Sequence, residues 1–206
     1  MQQFLKEIRK KVKMLHICKL FIQEILYKYM AKNSVKQIKE DEKKILEELQ
    51  RNANKSINEI AKTCGFSRQK VWRIIKSLEK NNTIWGYTAV IDEEKQDKEG
   101  FIVLIKRTNE PLSKTVVDKI VNRELVKKSK NLGIEVVSSI YANGAFDWVI
   151  CFTANDIKEA KGFVEEINTT FKGHISELYL LEKMFSAEKC GISNPDIKSL
   201  RDFFNL

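Results

Sequence analysis

The chain is poor in residues that break or cross-link a fold. Its 206 residues hold 2 prolines and 8 glycines, too few for a collagen-like or Pro-rich low-complexity architecture. The 4 cysteines, Cys18, Cys64, Cys151 and Cys190, stand at least 39 residues apart, so no CxxC metal or redox pair exists. With only 2 histidines, His16 and His174, a zinc site and a histidine-activated nucleophile both lack material. Scattered single cysteines fit a reducing cytoplasm, where they serve as small buried apolar residues. No uncharged apolar run reaches the ~18 residues that a membrane span requires. Lys19 and Glu24 interrupt the apolar stretch near the N-terminus, and no small-residue cleavage site follows it. Gly-rich phosphate loops, HExxH and GxSxG are missing too. The expectation is a protein without catalytic residues, cofactor, metal or membrane partner.

Acidic residues are also in short supply. There are 37 Lys and Arg against 28 Asp and Glu, a net charge of +9. The excess is uneven: residues 1–40 carry net +7, residues 41–91 carry +4, and residues 92–206 carry −2. A polyanion should therefore meet the front of the chain.

At about 150 residues per domain, the length allows one large domain or two small ones. Residues 3–30 have Phe4, Ile8, Val12, Leu15, Ile22 and Tyr29 near helical spacing, with Lys6, Arg9, Lys10 and Lys13 opposite. Three readings stand side by side: a dimerising or core-covering helix, a phosphate-touching arm, or a segment left untranslated when synthesis begins at Met30. Residues 1–40 are taken as this basic extension. From Asp41 to Asn81 the pattern predicts three helices. The first carries Ile45, Leu46 and Leu49. The second starts at Ser56 with Glu59 at capping-box spacing, and Ser67 caps a third whose stripe is Val71, Ile74, Ile75 and Leu78. Residues 84–91 are rich in β-formers and read as a linking strand, followed by a charged linker over 92–99. Over residues 100–188 the order is β-α-β-β-α-β, the ferredoxin-like split unit, with one helix expected across Ser113–Lys130. Residues 189–206 read as a tail helix, opened by Asn194-Pro195.

One constellation carries chemistry. A helix-turn-helix needs a small residue where its helices cross, a glycine in the turn, and apolar anchors on the second helix. Ala61, Gly65, and Ile60, Phe66, Val71 and Ile74 supply them at the required offsets between Ile57 and Lys76. The face opposite the stripe presents Ser67, Arg68, Gln69, Lys70, Trp72, Arg73 and Lys76. Arg and Gln near a recognition helix N-terminus pair bidentately with guanine and adenine edges. Lys76 and Lys80, further along, suit phosphates. The bland alternatives are a helical hairpin used for protein contacts and a merely solvated basic face.

The run from Ser56 to Asp92, with Asp41, Ile45 and Leu46 before it, resembles the DNA-binding half of the Lrp/AsnC (feast/famine) regulators, in an archaeal-type form with an N-terminal extension. Leu78-Glu79, Asn82-Thr83-Ile84 and Gly86-Tyr87 follow the family's typical ending, with Asn82 in place of a glycine; asparagine tolerates the left-handed region. Asn143-Gly144-Ala145-Phe146-Asp147 resembles the family's Gly-x-aromatic-Asp loop, and the likeness covers roughly residues 41–185. It implies an α+β fold, with a winged-type helix-turn-helix joined by a strand to a ferredoxin-like effector and oligomerisation domain. It further implies a homodimer, often built up into an octamer, on a pseudo-palindromic double-stranded DNA operator. An amino acid or related small effector would bind near Tyr141, Asn143, Gly144 and Asp147. Three departures stand out: the long N-terminal extension, the tail after residue 186, and Leu178-Tyr179-Leu180 where many members carry small hydroxyl residues. Two alternatives stay open, an architectural DNA-binding protein with little sequence preference and an enzyme like the sirohaem decarboxylases, which resemble the same two-domain family.

Overall fold

A computed structural model describes residues 34–204, so the segment expected as an amphipathic helix over residues 3–30 lies outside the described residues. The chain divides into two compact units between Thr88 and Ala89. In the first, helix α1 covers residues 34–51 and thus runs through the boundary expected at residue 41. Helices α2 (Ile57–Cys64) and α3 (Arg68–Lys80) follow. Ile45, Ile60, Ala61 and Val71 meet in a common core, flanked by Leu49, Phe66, Ile74 and Ile75. Glu48 of α1 is buried but takes Arg51 Nη1 at 3.0 Å and Lys55 Nζ at 2.6 Å. Lys55 holds its carboxyl below the usual range, against the upward push of burial.

The strand expected over residues 84–91 is not formed: residues 85–92 adopt no regular secondary structure. A strand exists only when a neighbour accepts its hydrogen bonds, and β-formers cannot supply that neighbour. Trp85 is left 96 % exposed. The left-handed residue foreseen at Asn82 is present, with φ at 58°.

The second unit is an antiparallel sheet of β1 (Glu99–Arg107), β2 (Glu135–Tyr141), β3 (Trp148–Ala154) and β4 (Ile175–Glu182), in the order β2-β3-β1-β4. Helices α4 (Lys114–Val121), α5 (Glu124–Lys130) and α6 (Ile157–Thr170) complete the ferredoxin-like pattern. The single helix expected across Ser113–Lys130 is two helices. Arg123 sits in the left-handed region at φ 54° and breaks the ladder between α4 and α5. One sheet face supplies Phe101, Val103, Ile105, Ile150 and Phe152 to a core completed by Phe163 and Ile167 of α6. The register places two apolar rows on the other face: Ile140, Val149, Leu104 and Tyr179, then Cys151, Ile102 and Leu181.

The tail also differs from expectation. It opens as a hairpin of β5 (Glu188–Lys189) and β6 (Ile192–Ser193), turned by Cys190 and Gly191, both at positive φ. Asn194 does not cap a helix as expected: its Oδ1 accepts the Asp196 N–H at 2.8 Å, Asp196 precedes a 3-10 turn over Ile197–Ser199, and α7 is only Leu200–Phe203. The charged segment after residue 92 is a 3-10 turn, Glu93–Gln96, rather than a free linker. The Glu93 carboxylate takes the ammonium groups of Lys183, at the end of β4, and Lys189, in the hairpin. A Cβ at Gly100 would press on the far end of the Lys183 side chain, which would have to shift.

Burial pushes the Glu93 carboxyl up, but Lys183 and Lys189 outweigh it and hold the group at about 2, below its ordinary 4.5. A depressed folded-state value stabilises the fold above the unfolded value and is lost as pH falls through the folded one. The second unit should therefore lose up to about 3 kcal/mol of stability between pH 4.5 and 2 through this group. Acid titration followed by thermal unfolding checks this: Glu93→Gln should flatten that limb of the wild-type curve, and an unchanged limb contradicts the assignment.

Candidate nucleic-acid interface

Local chemistry defines both helices of the motif. Ser56 Oγ accepts the Glu59 N–H at 3.2 Å while Glu59 Oε2 accepts the Ser56 N–H at 2.8 Å, closing the capping box expected for α2. Gly65 ends α2 at φ 68°, a conformation that costs glycine little. Ser67 Oγ then accepts the Lys70 N–H at 3.2 Å and starts α3. The Ser67 oxygen named as a DNA contact is thus engaged in capping.

Val71 and Leu78 turn the buried stripe of α3 inward. Arg68, Gln69, Trp72 and Arg73 emerge on the exposed side, Trp72 with 51 % of its surface free. Four side chains that donate hydrogen bonds or present a ring thus project from the first two turns of one capped helix.

Lys70 departs from expectation, because it does not stand free with them. Its Nζ lies 2.6 Å from Oδ2 of the buried Asp41 of α1 and 4.0 Å from the centre of the Phe66 ring. Gln37 Nε2 adds a second bond to Asp41 at 3.1 Å. The Lys70 ammonium beside Asp41 holds that carboxyl below the usual range despite its burial. Lys76 is paired too, with Glu79 at 2.7 Å, but on an exposed surface. Such a pair is worth only about 0–1 kcal/mol and exchanges readily for a phosphate.

The loop named as the effector site belongs to the second unit. Tyr141 stacks on Trp148, ring centres 5.2 Å apart. Asn143 and Gly144 are exposed, with open space where a Gly144 Cβ would stand. Asp147 is half-buried and structural: its N–H donates to Ile105 O, its carbonyl accepts the Ala142 N–H, and its Oδ2 accepts the Arg107 N–H at 2.8 Å. The carboxylate therefore pins the loop across to β1 instead of bonding its own turn. Arg107 was not foreseen here; its side-chain Nε is buried without a partner among the described residues. A strand-end arginine in a β-rich run carries no motif that would reveal it. Among the described residues no group of three or more His, Cys, Asp or Glu is placed to hold a metal ion, and no helix is long and apolar enough to cross a membrane.

Residues 42–84 match the family model described as winged helix-turn-helix DNA-binding. The chain is 29 % identical over 139 residues to YugG of Bacillus subtilis, an uncharacterised HTH-type transcriptional regulator, across 66 % of this chain and 80 % of that protein. Its fold is shared with an AsnC family transcriptional regulator from Agrobacterium tumefaciens (TM-score 0.54, 21 % identity, 72 % of this chain and 92 % of that one). It is shared too with the transcriptional regulator NMB0573 from Neisseria meningitidis, solved as a complex with L-Met (TM-score 0.55, 18 % identity, 72 % and 91 %).

Proposed function

The chain is a helix-turn-helix protein with the fold of the Lrp/AsnC transcriptional regulators, and from that premise we propose that it reads specific DNA sequence as a homodimer. The observation that carries this reading is the exposed face of α3, where Arg68, Gln69 and Arg73 project from a capped, well-packed helix. In a major groove these side chains read base edges, Trp72 adds apolar contact, and Lys76 and Lys80 hold phosphates. The net positive charge of the front half favours the encounter with DNA in the cytoplasm.

Two features support the dimer. The sheet rows through Leu104 and Ile102 form an apolar face with no helix packed over it among the described residues, and Ile140, Tyr179 and Leu181 are among its exposed members. The segment over residues 85–92, with Trp85 and Tyr87 exposed, has β-rich composition but no regular secondary structure, and suits addition to a sheet shared with a second copy. A second copy satisfies both, and dimers of this kind could build further into an octamer. Two α3 helices related by a two-fold axis need a pseudo-palindromic operator with half-sites about one helical turn, or a multiple, apart.

An amino acid or related effector is proposed at the loop of Tyr141, Asn143, Gly144 and Asp147. The open backbone at Gly144 supports it, and the Neisseria regulator's complex with L-Met gives a precedent for such a ligand in this fold. Asp147 acts there by holding the loop.

Three experiments test these assignments on a duplex selected by the wild-type protein from a random pool. Inserting ~5 base pairs between half-sites should abolish specific binding, because it places the second half-site on the opposite side of the duplex; unchanged affinity rejects the dimer. Arg68→Ala should cost about 1–3 kcal/mol on that duplex and relax one position, whereas Lys76→Met should weaken all sequences alike and lower the salt slope by about one. Equal losses from Arg68→Ala on selected and scrambled DNA would remove it from base reading. For the effector loop, operator affinity is titrated with each proteinogenic amino acid. Gly144→Val should bind DNA normally but lose the ligand response, and Asp147→Asn should weaken it. Responses like wild type in both variants put the site elsewhere, and a wild type that responds to none leaves the loop without an effector role.

A further inference from the structure

The first turn of α3 runs against helix electrostatics. A helix N-terminus carries partial positive charge and favours acidic residues, yet Arg68, Gln69 and Lys70 open α3, and its first turn holds no acid. The missing negative charge comes from another helix. Asp41 stands one turn before Ile45 on α1, on the face that buries Ile45 against Val71. There its carboxylate meets Lys70 Nζ at 2.6 Å while Gln37 holds its other oxygen. The Lys70 side chain passes over the Phe66 ring to get there. Its neighbours Arg68 and Gln69 are left unpaired among the described residues. Asp41, Lys70 and Arg73 border one open groove of about 240 Å³ between α1 and α3, so the pair adjoins a base-reading residue.

We propose that the Asp41–Lys70 pair is a latch that sets the rotation of the recognition helix, which makes Lys70 a positioning residue for base reading and not a phosphate contact. This rests on the sequence-specific reading above. The Asp41 side chain is only 6 % exposed and the Lys70 side chain 36 %, so the carboxylate that anchors the pair is withdrawn from competing salt. The exposed Lys76–Glu79 pair offers no such protection. A small rotation of α3 would carry Arg68, Gln69 and Arg73 off the base edges while leaving the general positive charge in place. The latch thus acts on discrimination and leaves bulk affinity nearly untouched.

The test compares affinity for the selected duplex with that for a scrambled one, and measures how each falls with salt. Asp41→Asn with Lys70→Met removes both charges together, leaving no unpaired buried carboxylate and therefore a folded protein. It should lower the ratio of selected to scrambled affinity by about tenfold, the loss of roughly one base contact, with the salt slope unchanged. Lys70→Arg, which can still reach Asp41, should restore most of the ratio. A merely stabilising pair would shift the melting temperature and leave the ratio alone, and that result overturns the proposal. A salt slope lowered by about one with equal losses on both duplexes overturns it too, because Lys70 is then a phosphate contact. A wild type that binds both duplexes equally instead removes the sequence-specific reading, and the latch with it.

Discussion

Ile45, Ile60 and Val71 are all but fully removed from solvent, and each comes from a different helix of the first unit. At about 25 cal/mol per Å² of apolar surface, their burial is the main force holding three short helices together. None of those helices would be stable alone. Once Val71 points inward, the 3.6-residue period turns Gln69, Trp72 and Arg73 outward, and Arg68 emerges exposed at the edge of the stripe in the first turn. The surface proposed to face DNA is thus the complement of the core. A polar side chain at position 71 would do more than weaken packing, because it would unfix the face that α3 presents.

Charge is then spent in two ways. Buried carboxylates, Asp41 and Glu48, each face cations from within the same unit and turn desolvation cost into tertiary fixation. The Glu93 carboxylate does the same in the second unit, tying the chain's entry to the sheet end and to the tail hairpin. Among the described residues the exposed cations on α3 are unpaired or weakly paired, the state in which a polyanion would draw on them. Paired buried charge gives shape, and free surface charge gives binding.

The second unit shows an analogous asymmetry in apolar surface. One face of the sheet is filled by Phe163 and Ile167 of α6 and by the helices before it. The other keeps Ile102, Leu104, Val149 and Cys151 half-buried, with no helix above them among the described residues. An antiparallel sheet commonly pairs one packed face with one polar, solvated face, and here the second face is apolar. That departure is what makes self-association the natural use of the unit.

Much of this was legible in the residues themselves, because it depends on local rules. The capping box at Ser56 and Glu59, the Ser67 cap, the left-handed turns at Gly65 and Asn82, and the inward stripe of α3 follow from spacing within a dozen residues. So does the β-α-β-β-α-β order. What the sequence could not decide depends on a distant partner. Residues 84–91 have strand composition but form no strand, so composition alone misled. Arg123 breaks a helix whose periodicity runs on without interruption. Lys70 has the residue type of a DNA contact, yet Asp41, remote in sequence, claims it across the α1–α3 packing. Asp147 has the residue type of an effector contact, yet β1 brings the Arg107 N–H to its carboxylate. Periodicity reports which way a side chain points, but the identity of the group it meets is settled only when packing closes the space between them.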